Sequence, residues 1–127
     1  MKLEDLNQYF IWKNRIKTTE AELKEVCELS AFIFNGMPHS PSIGDPVYNT
    51  FRKKEKLEQK LKFQYQRALD EIVKISDYID SIENEEMKEI LLQRFILCRR
   101  YQDIGDTLYM DRRTVSRKIT EFLKNNP

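Results

Sequence analysis

Two long stretches of this chain place an apolar or small residue every third or fourth position. In the first, Tyr9, Trp12, Ile16, Thr19, Leu23, Val26, Ser30 and Ile33 alternate steps of three and four. In the second, Leu61, Tyr65, Ala68, Ile72, Ile75, Ile79 and Ile82 do the same. That spacing is the seam of paired α-helices, and the Glu and Lys between seam positions form a solvated face. Helices are therefore expected over 3–34 and 46–82. Between them lies NGMPHSPSIGDP, residues 35–46. Its Gly and Pro residues supply positive φ, remove donors and restrict their neighbours, so no helix passes through. Asp45-Pro46 is a good helix start, a capping acid followed by Pro in the first helical position. Residues 1–82 are thus expected as a long antiparallel, coiled-coil-like helical hairpin. A hairpin alone buries little surface, which makes a homodimer through it plausible. The pattern is equally compatible with seams filled within one chain or between chains.

From Asn84 the elements shorten. Asn84 is placed to cap a helix whose first turn holds Glu85 and Glu86, where the helix dipole favours acids. Ile90, Leu91, Phe95 and Ile96 are its apolar face, and Arg94, Arg99 and Arg100 fall near its end. A second short helix is expected from Tyr101 to about Tyr109, and a third after a break at Met110-Asp111, with Asp111 as cap. Ile104, Leu108, Met110, Val115 and Ile119 can share one small core. Gly105 falls where the last two helices approach, so a small residue is required. Two short helices joined by a tight turn form a helix-turn-helix. The expected fold is all-α: the hairpin (1–82) followed by a small three-helix helix-turn-helix domain (83–127).

Charge changes the picture once it is divided. The 127 residues carry 22 Lys+Arg and 21 Asp+Glu, a net charge of +1. Residues 1–98 hold 15 basic and 17 acidic side chains, net −2, whereas 99–127 hold 7 and 4, net +3. The imbalance concentrates on the last helix, where Arg112 to Lys118 contains four basic residues and no acid. Arg112 and Arg113 sit in its first turn, at the positive end of the dipole, at a cost of about 0.3–1 kcal/mol per charge. An external anion such as a DNA backbone removes that conflict. Local neutralisation by Asp106 and Asp111 is the alternative. A second basic run, RKKEKLEQKLK at 52–62, is expected to be a solvated face laced with Glu–Lys pairs, with phosphate binding as its other reading.

The stretch LLQRFILCRRYQDIGDTLYMDRRTVSRKITEFL resembles the helix-turn-helix of sigma-factor region 4. The elements that match, in order, are Arg94-Phe95, then Tyr101-Gln102-Asp103-Ile104-Gly105, then Asp111-Arg112-Arg113-Thr114-Val115. The whole layout is similar to small transcriptional regulators of phages and prophages of Gram-positive bacteria. The sequence departs from the family at Arg100, where Ser or Thr often caps the scaffold helix, and at Cys98, where Gly often stands. The resemblance implies a sequence-specific DNA-binding regulator that reads the major groove of double-stranded DNA with helix 112–124, with RNA polymerase as a further partner. Docking geometry then puts Arg112, Arg113, Ser116 and Arg117 toward base edges. It leaves Lys118, Thr120 and Gln102 as phosphate contacts.

Two rivals come from other classes: a small phage packaging subunit of terminase type that binds DNA, and a protein-interaction module that contacts RNA polymerase or a sigma factor. An enzyme is not expected. His39 has no Cys or carboxylate at useful spacing, Ser40 and Ser42 lack a glycine elbow, and the acids show no metal-ligand pattern. No metal or cofactor is expected. Cys27 and Cys98 are too far apart in sequence for a zinc signature and are expected as reduced thiols. The acidic start MKLEDLNQYF is unlike a secretory signal, and no apolar run has membrane length, so a cytoplasmic location without membrane association is expected.

Overall fold

A computed structural model describes residues 1–36 and 46–126, without the side chains of 33–36 and 46–47. The secondary structure among these residues is entirely helical. In chain order it comprises α1 (Leu3–Leu6), α2 (Gln8–Gly36), α3 (Pro46–Asp80), α4 (Glu85–Leu91), a π-helical turn (Leu92–Ile96), α5 (Tyr101–Leu108) and α6 (Arg112–Asn125). No helix is long and apolar enough to cross a membrane. The expectations for His39, Ser40, Ser42, the cap Asp45 and most of the 35–46 loop lie outside the described residues. Pro46 opens α3, where its fixed φ suits a helix and its missing N–H costs nothing.

The expected first helix is interrupted by a turn at Asn7 and continues to Gly36. The Asp5 carboxylate accepts the Lys2 backbone N–H at 3.1 Å, which fastens the start of α1. α4 starts as its sequence dictates. The Asn84 side-chain oxygen accepts the backbone N–H groups of Glu86 at 3.0 Å and Met87 at 3.2 Å. The helix expected to continue through Ile96 instead widens after Leu91, and the Leu97 N–H reaches back five residues to the Leu92 carbonyl at 3.1 Å.

The chain divides into two compact units, and the division is not the expected one at residue 82. Met1–Ile11 and Ala68–Pro127 form one unit, Trp12–Arg67 the other. Burial explains the shift. Leu6 of α1 and Ile75 and Ile79 of α3 enter the same core as Met87, Ile90, Leu91, Phe95, Ile104, Val115 and Ile119. Each such residue contributes about 1.5–3 kcal/mol by leaving water, so the end of α3 belongs energetically with the short helices.

In the Trp12–Arg67 unit the buried side chains are Ile16 and Leu57 with the polar Thr19 and Gln64. The first seam holds as expected through Ser30, with Trp12, Leu23, Val26 and Ser30 half-buried along it, and the side chain of Ile33 lies outside the described residues. The second holds as well, except at Tyr65. Leu57, Leu61, Gln64 and Ala68 turn inward, while Tyr65 is 49% exposed and gives its hydroxyl hydrogen bond to Glu20. That bond raises the tyrosine pKa above its ordinary value. Tyr65 was expected in the seam from the alternating steps of three and four. The inward line that starts at Leu57 passes through Gln64 instead.

Candidate nucleic-acid interface

α5 and α6 are held together by backbone geometry that Gly105 permits. A Cβ at Gly105 would lie 2.4 Å from the Met110 carbonyl oxygen, so only glycine lets the turn close against α5. The expected small residue is thus required by the turn's backbone, not by a facing side chain. Tyr109 takes a left-handed conformation, φ 58°, and the Met110 N–H donates to the Gly105 carbonyl at 2.9 Å. Asp111 occupies the cap position of α6 with extended backbone, but its side chain makes no capping bond. Its carbonyl receives the N–H groups of Thr114 and Val115 at 3.0 and 3.1 Å.

Val115 and Ile119 point α6 into the core, with Phe122 and Leu123 packed beside them. The opposite side carries Arg112, Arg113, Arg117 and Thr120, all exposed, with Ser116 half-buried at its edge. The structure therefore brings five of the seven expected site residues onto one side of α6. Among the described residues neither Arg112 nor Arg113 has a hydrogen bond or ion pair from its side chain, so Asp106 and Asp111 do not neutralise them. Asp106 instead accepts from Gln102 at 3.0 Å. Arg117 lies 4.0 Å from Glu121, with both side chains about two-thirds exposed, a pairing worth little in water. Thr120 donates to the Ser116 carbonyl at 3.0 Å.

The remaining two residues are already engaged. Lys118 forms an ion pair with Glu86 at the start of α4, so it is not the free phosphate contact that was expected. The reason is its place on α6, at the edge of the buried face and beside the acidic first turn of α4. Gln102 is on α5 and is tied to Asp106.

The π-helical turn and α5 are joined by a polar scaffold that spacing alone does not reveal. Arg99 donates to the Gln93 side-chain oxygen at 2.6 Å, to Thr107 Oγ1 at 3.0 Å and to the Asp103 carbonyl at 3.2 Å. Gln93, itself buried, donates to Glu89 at 2.8 Å. The Arg94 guanidinium stacks 4.2 Å from the Tyr101 ring centroid and donates to the Arg99 carbonyl at 2.9 Å. The clue in the sequence was the run of Arg at 94, 99 and 100, read there only as charges suited to a helix end. Arg100 stands at the cap position of α5 and makes two bonds to Asp103, at 3.1 and 3.4 Å. That guanidinium holds the Asp103 carboxyl below the usual carboxylate range. Cys98 adopts φ 56°, the conformation that favours the glycine it replaces in the resembled motif. Sequence reasoning also missed Tyr109, which is 97% exposed beside the first turn of α6.

Among the described residues no group of three or more His, Cys, Asp or Glu side chains is arranged to hold a metal ion. No family model matches the chain, and neither a curated protein nor a solved structure matches it.

Proposed function

We propose that α5 and α6 are the two helices of a helix-turn-helix, and that the chain is a sequence-specific DNA-binding transcriptional regulator. α6 is the recognition helix, entering the major groove with its amino-terminal half toward the bases. The observation that carries this reading is the pair Arg112 and Arg113: exposed, without side-chain partners, and in the helix turn where cations are least welcome. A phosphate or a guanine edge supplies the missing counterpart, and Arg is the side chain that reads guanine with two hydrogen bonds. Arg117 and Ser116 extend the reading face by one turn. Arg94, Arg99 and Arg100 serve the scaffold that joins the π-helical turn to α5. Lys118 reaches a phosphate only by leaving Glu86.

One such module covers too little DNA to bind tightly alone. The reading therefore includes a second copy of the chain, joined through Trp12–Arg67 as an antiparallel helical hairpin. Leu29, Phe32 and Phe51, each more than 60% exposed there, support that role.

Selection of bound duplexes from a random pool, followed by titration of Arg113→Ala and Arg117→Ala, tests the proposal. Each variant is expected to lose about 1–3 kcal/mol toward the selected site and to relax its preference at one position. Unchanged affinity and unchanged preference in both variants would remove α6 as the reading helix. No binding at low salt would favour a protein surface as the partner.

A further inference from the structure

A cavity in the Trp12–Arg67 unit collects cations around the chain's single tryptophan. The Arg15 guanidinium carbon stands 4.6 Å from the centroid of the Trp12 ring, and that of Arg67 stands 5.5 Å away. Phe63 meets the same indole edge-on, with centroids 6.1 Å apart. Lys60 joins Trp12, Arg15, Phe63 and Gln64 in lining a cavity of about 610 Å³, and no acidic residue lines it. Arg15, Lys60 and Arg67 have no ion pair among the described residues. Two guanidiniums at one ring and a lysine lining the same cavity repel one another unless an anion shares them.

A second, independent observation points to the same cavity. Gln64 is 5% exposed, and its side-chain oxygen is buried without a hydrogen-bond partner. Buried acceptors are rarely left so, and this one calls for an N–H or O–H donor. Phe63, 59% exposed, adds an open aromatic surface beside it.

An anion, a flat ring and a hydrogen-bond donor are together the chemistry of a nucleotide. We propose that this cavity binds a 5′-phosphorylated nucleoside. Arg15 and Lys60, which line the cavity, hold its phosphate with Arg67 reaching in from beside Trp12, Phe63 carries the base, and a base N–H donates to Gln64. The volume lies within the range of small-molecule sites. A free nucleotide and the phosphorylated end of a single strand both supply this group. The site uses α2 and α3 and does not depend on the reading of α6.

Trp12 reports directly on the cavity, because no other tryptophan contributes to the fluorescence of the chain. The full chain is titrated with the four nucleoside 5′-monophosphates, with adenosine, with inorganic phosphate, and with a short single strand bearing either a 5′-phosphate or a 5′-hydroxyl. Calorimetry accompanies the fluorescence. At least one monophosphate is expected to quench Trp12 saturably, with adenosine and phosphate alone weaker by about tenfold or more. Arg15→Gln and Arg67→Gln are each expected to weaken the monophosphate about tenfold with an unchanged circular dichroism spectrum. Gln64→Leu is expected to weaken the monophosphate but not inorganic phosphate. A phosphorylated strand binding more tightly than the monophosphate assigns the site to strand ends, and the reverse order assigns it to free nucleotide.

Three results would overturn the proposal: no saturable response to any probe, full affinity in a folded Arg67→Gln, or equal binding of adenosine and its monophosphate. Should an Arg variant lose its helical signal, the comparison of phosphate-bearing with phosphate-free ligands on the unaltered chain decides alone. Arg113→Ala is expected to leave every one of these titrations unchanged, which keeps failure here separate from failure of the α6 reading.

Discussion

The two units of this chain are built from the same kind of amphipathic helix and bury very different amounts of apolar side chain. In Met1–Ile11 with Ala68–Pro127, ten apolar residues contributed by α1, α3, α4, the π-helical turn, α5 and α6 make one core. In Trp12–Arg67 the described buried side chains are two aliphatic residues, a threonine and a glutamine without a partner for its oxygen. Large apolar side chains such as Phe32, Phe51 and Phe63 stay in water there. Short helices that cross in several directions can surround a residue on all sides. Two long helices side by side cover only one stripe of each other. The first unit thus encloses one apolar core, with the Tyr78 hydroxyl buried in it without a hydrogen-bond partner. The second has no comparable apolar core among its described residues, so its largest apolar side chains stay exposed and call for cover from outside the unit.

Equivalent truncations in the two units test that contrast most strongly. Ile104→Ala removes a side chain of zero exposure from the larger core and is expected to cost about 2–5 kcal/mol in denaturant unfolding. Ile16→Ala removes the same atoms from a site 8% exposed and flanked by Thr19, and is expected to cost clearly less. Equal losses would break the comparison and mean that the helical pair is as well packed as the other unit. A loss at Ile16 that grows with protein concentration would sharpen it, because the missing cover would then be a second copy.

The next largest effect lies at the turn between α5 and α6. Gly105→Ala drives a methyl group into the Met110 carbonyl, which belongs to the backbone and cannot turn aside as a side chain can. A destabilisation of about 1–3 kcal/mol is expected from such overpacking. Nuclear magnetic resonance spectra should show shifts concentrated at 105–112 and absent from Trp12–Arg67. Shifts spread over both units would contradict the independence of the two cores.

These examples also show what the sequence discloses and what it withholds. Element type and capping are local, so Asn84, Pro46, Gly105 and the spacing of Ile104, Val115 and Ile119 were legible. Seam register was legible in α2 and, apart from one position, in α3. There Gln64 and Tyr65 are neighbours, and hydrophobicity favours the residue that in fact stays outside. Ion pairs between distant elements were not legible at all, because Lys118 and Glu86 are 32 residues apart. Lys53 was likewise expected to find a partner on its own helix. It pairs with Glu22 of α2 at 3.3 Å. The boundary between units was hidden for the same reason. Periodicity runs unbroken through Leu61, Ala68 and Ile75, although the boundary between the units falls after Arg67.

The smallest expected effect isolates a feature of the first unit alone. Its tight packing is joined to two left-handed residues other than glycine, Cys98 and Tyr109. For an L-residue that conformation costs about 1–2 kcal/mol, because Cβ crowds the following carbonyl. At Cys98 a substitution also alters a half-buried thiol, whose Sγ lies 3.8 Å from the Ile96 carbonyl oxygen. Tyr109 is the cleaner position, since at 97% exposure its ring has almost no packing to lose. Tyr109→Gly is therefore expected to stabilise the chain by about 1 kcal/mol, and Tyr109→Asn by less, since Asn tolerates this conformation better than Tyr but keeps a Cβ. Thermal unfolding measures both, with the order Gly, Asn, Tyr from most to least stable. The reverse order would mean that the ring is held by contacts within the unit. The observed exposure denies this, and the contrast between a closed core and an open helical pair would then have to be redrawn at the turn itself.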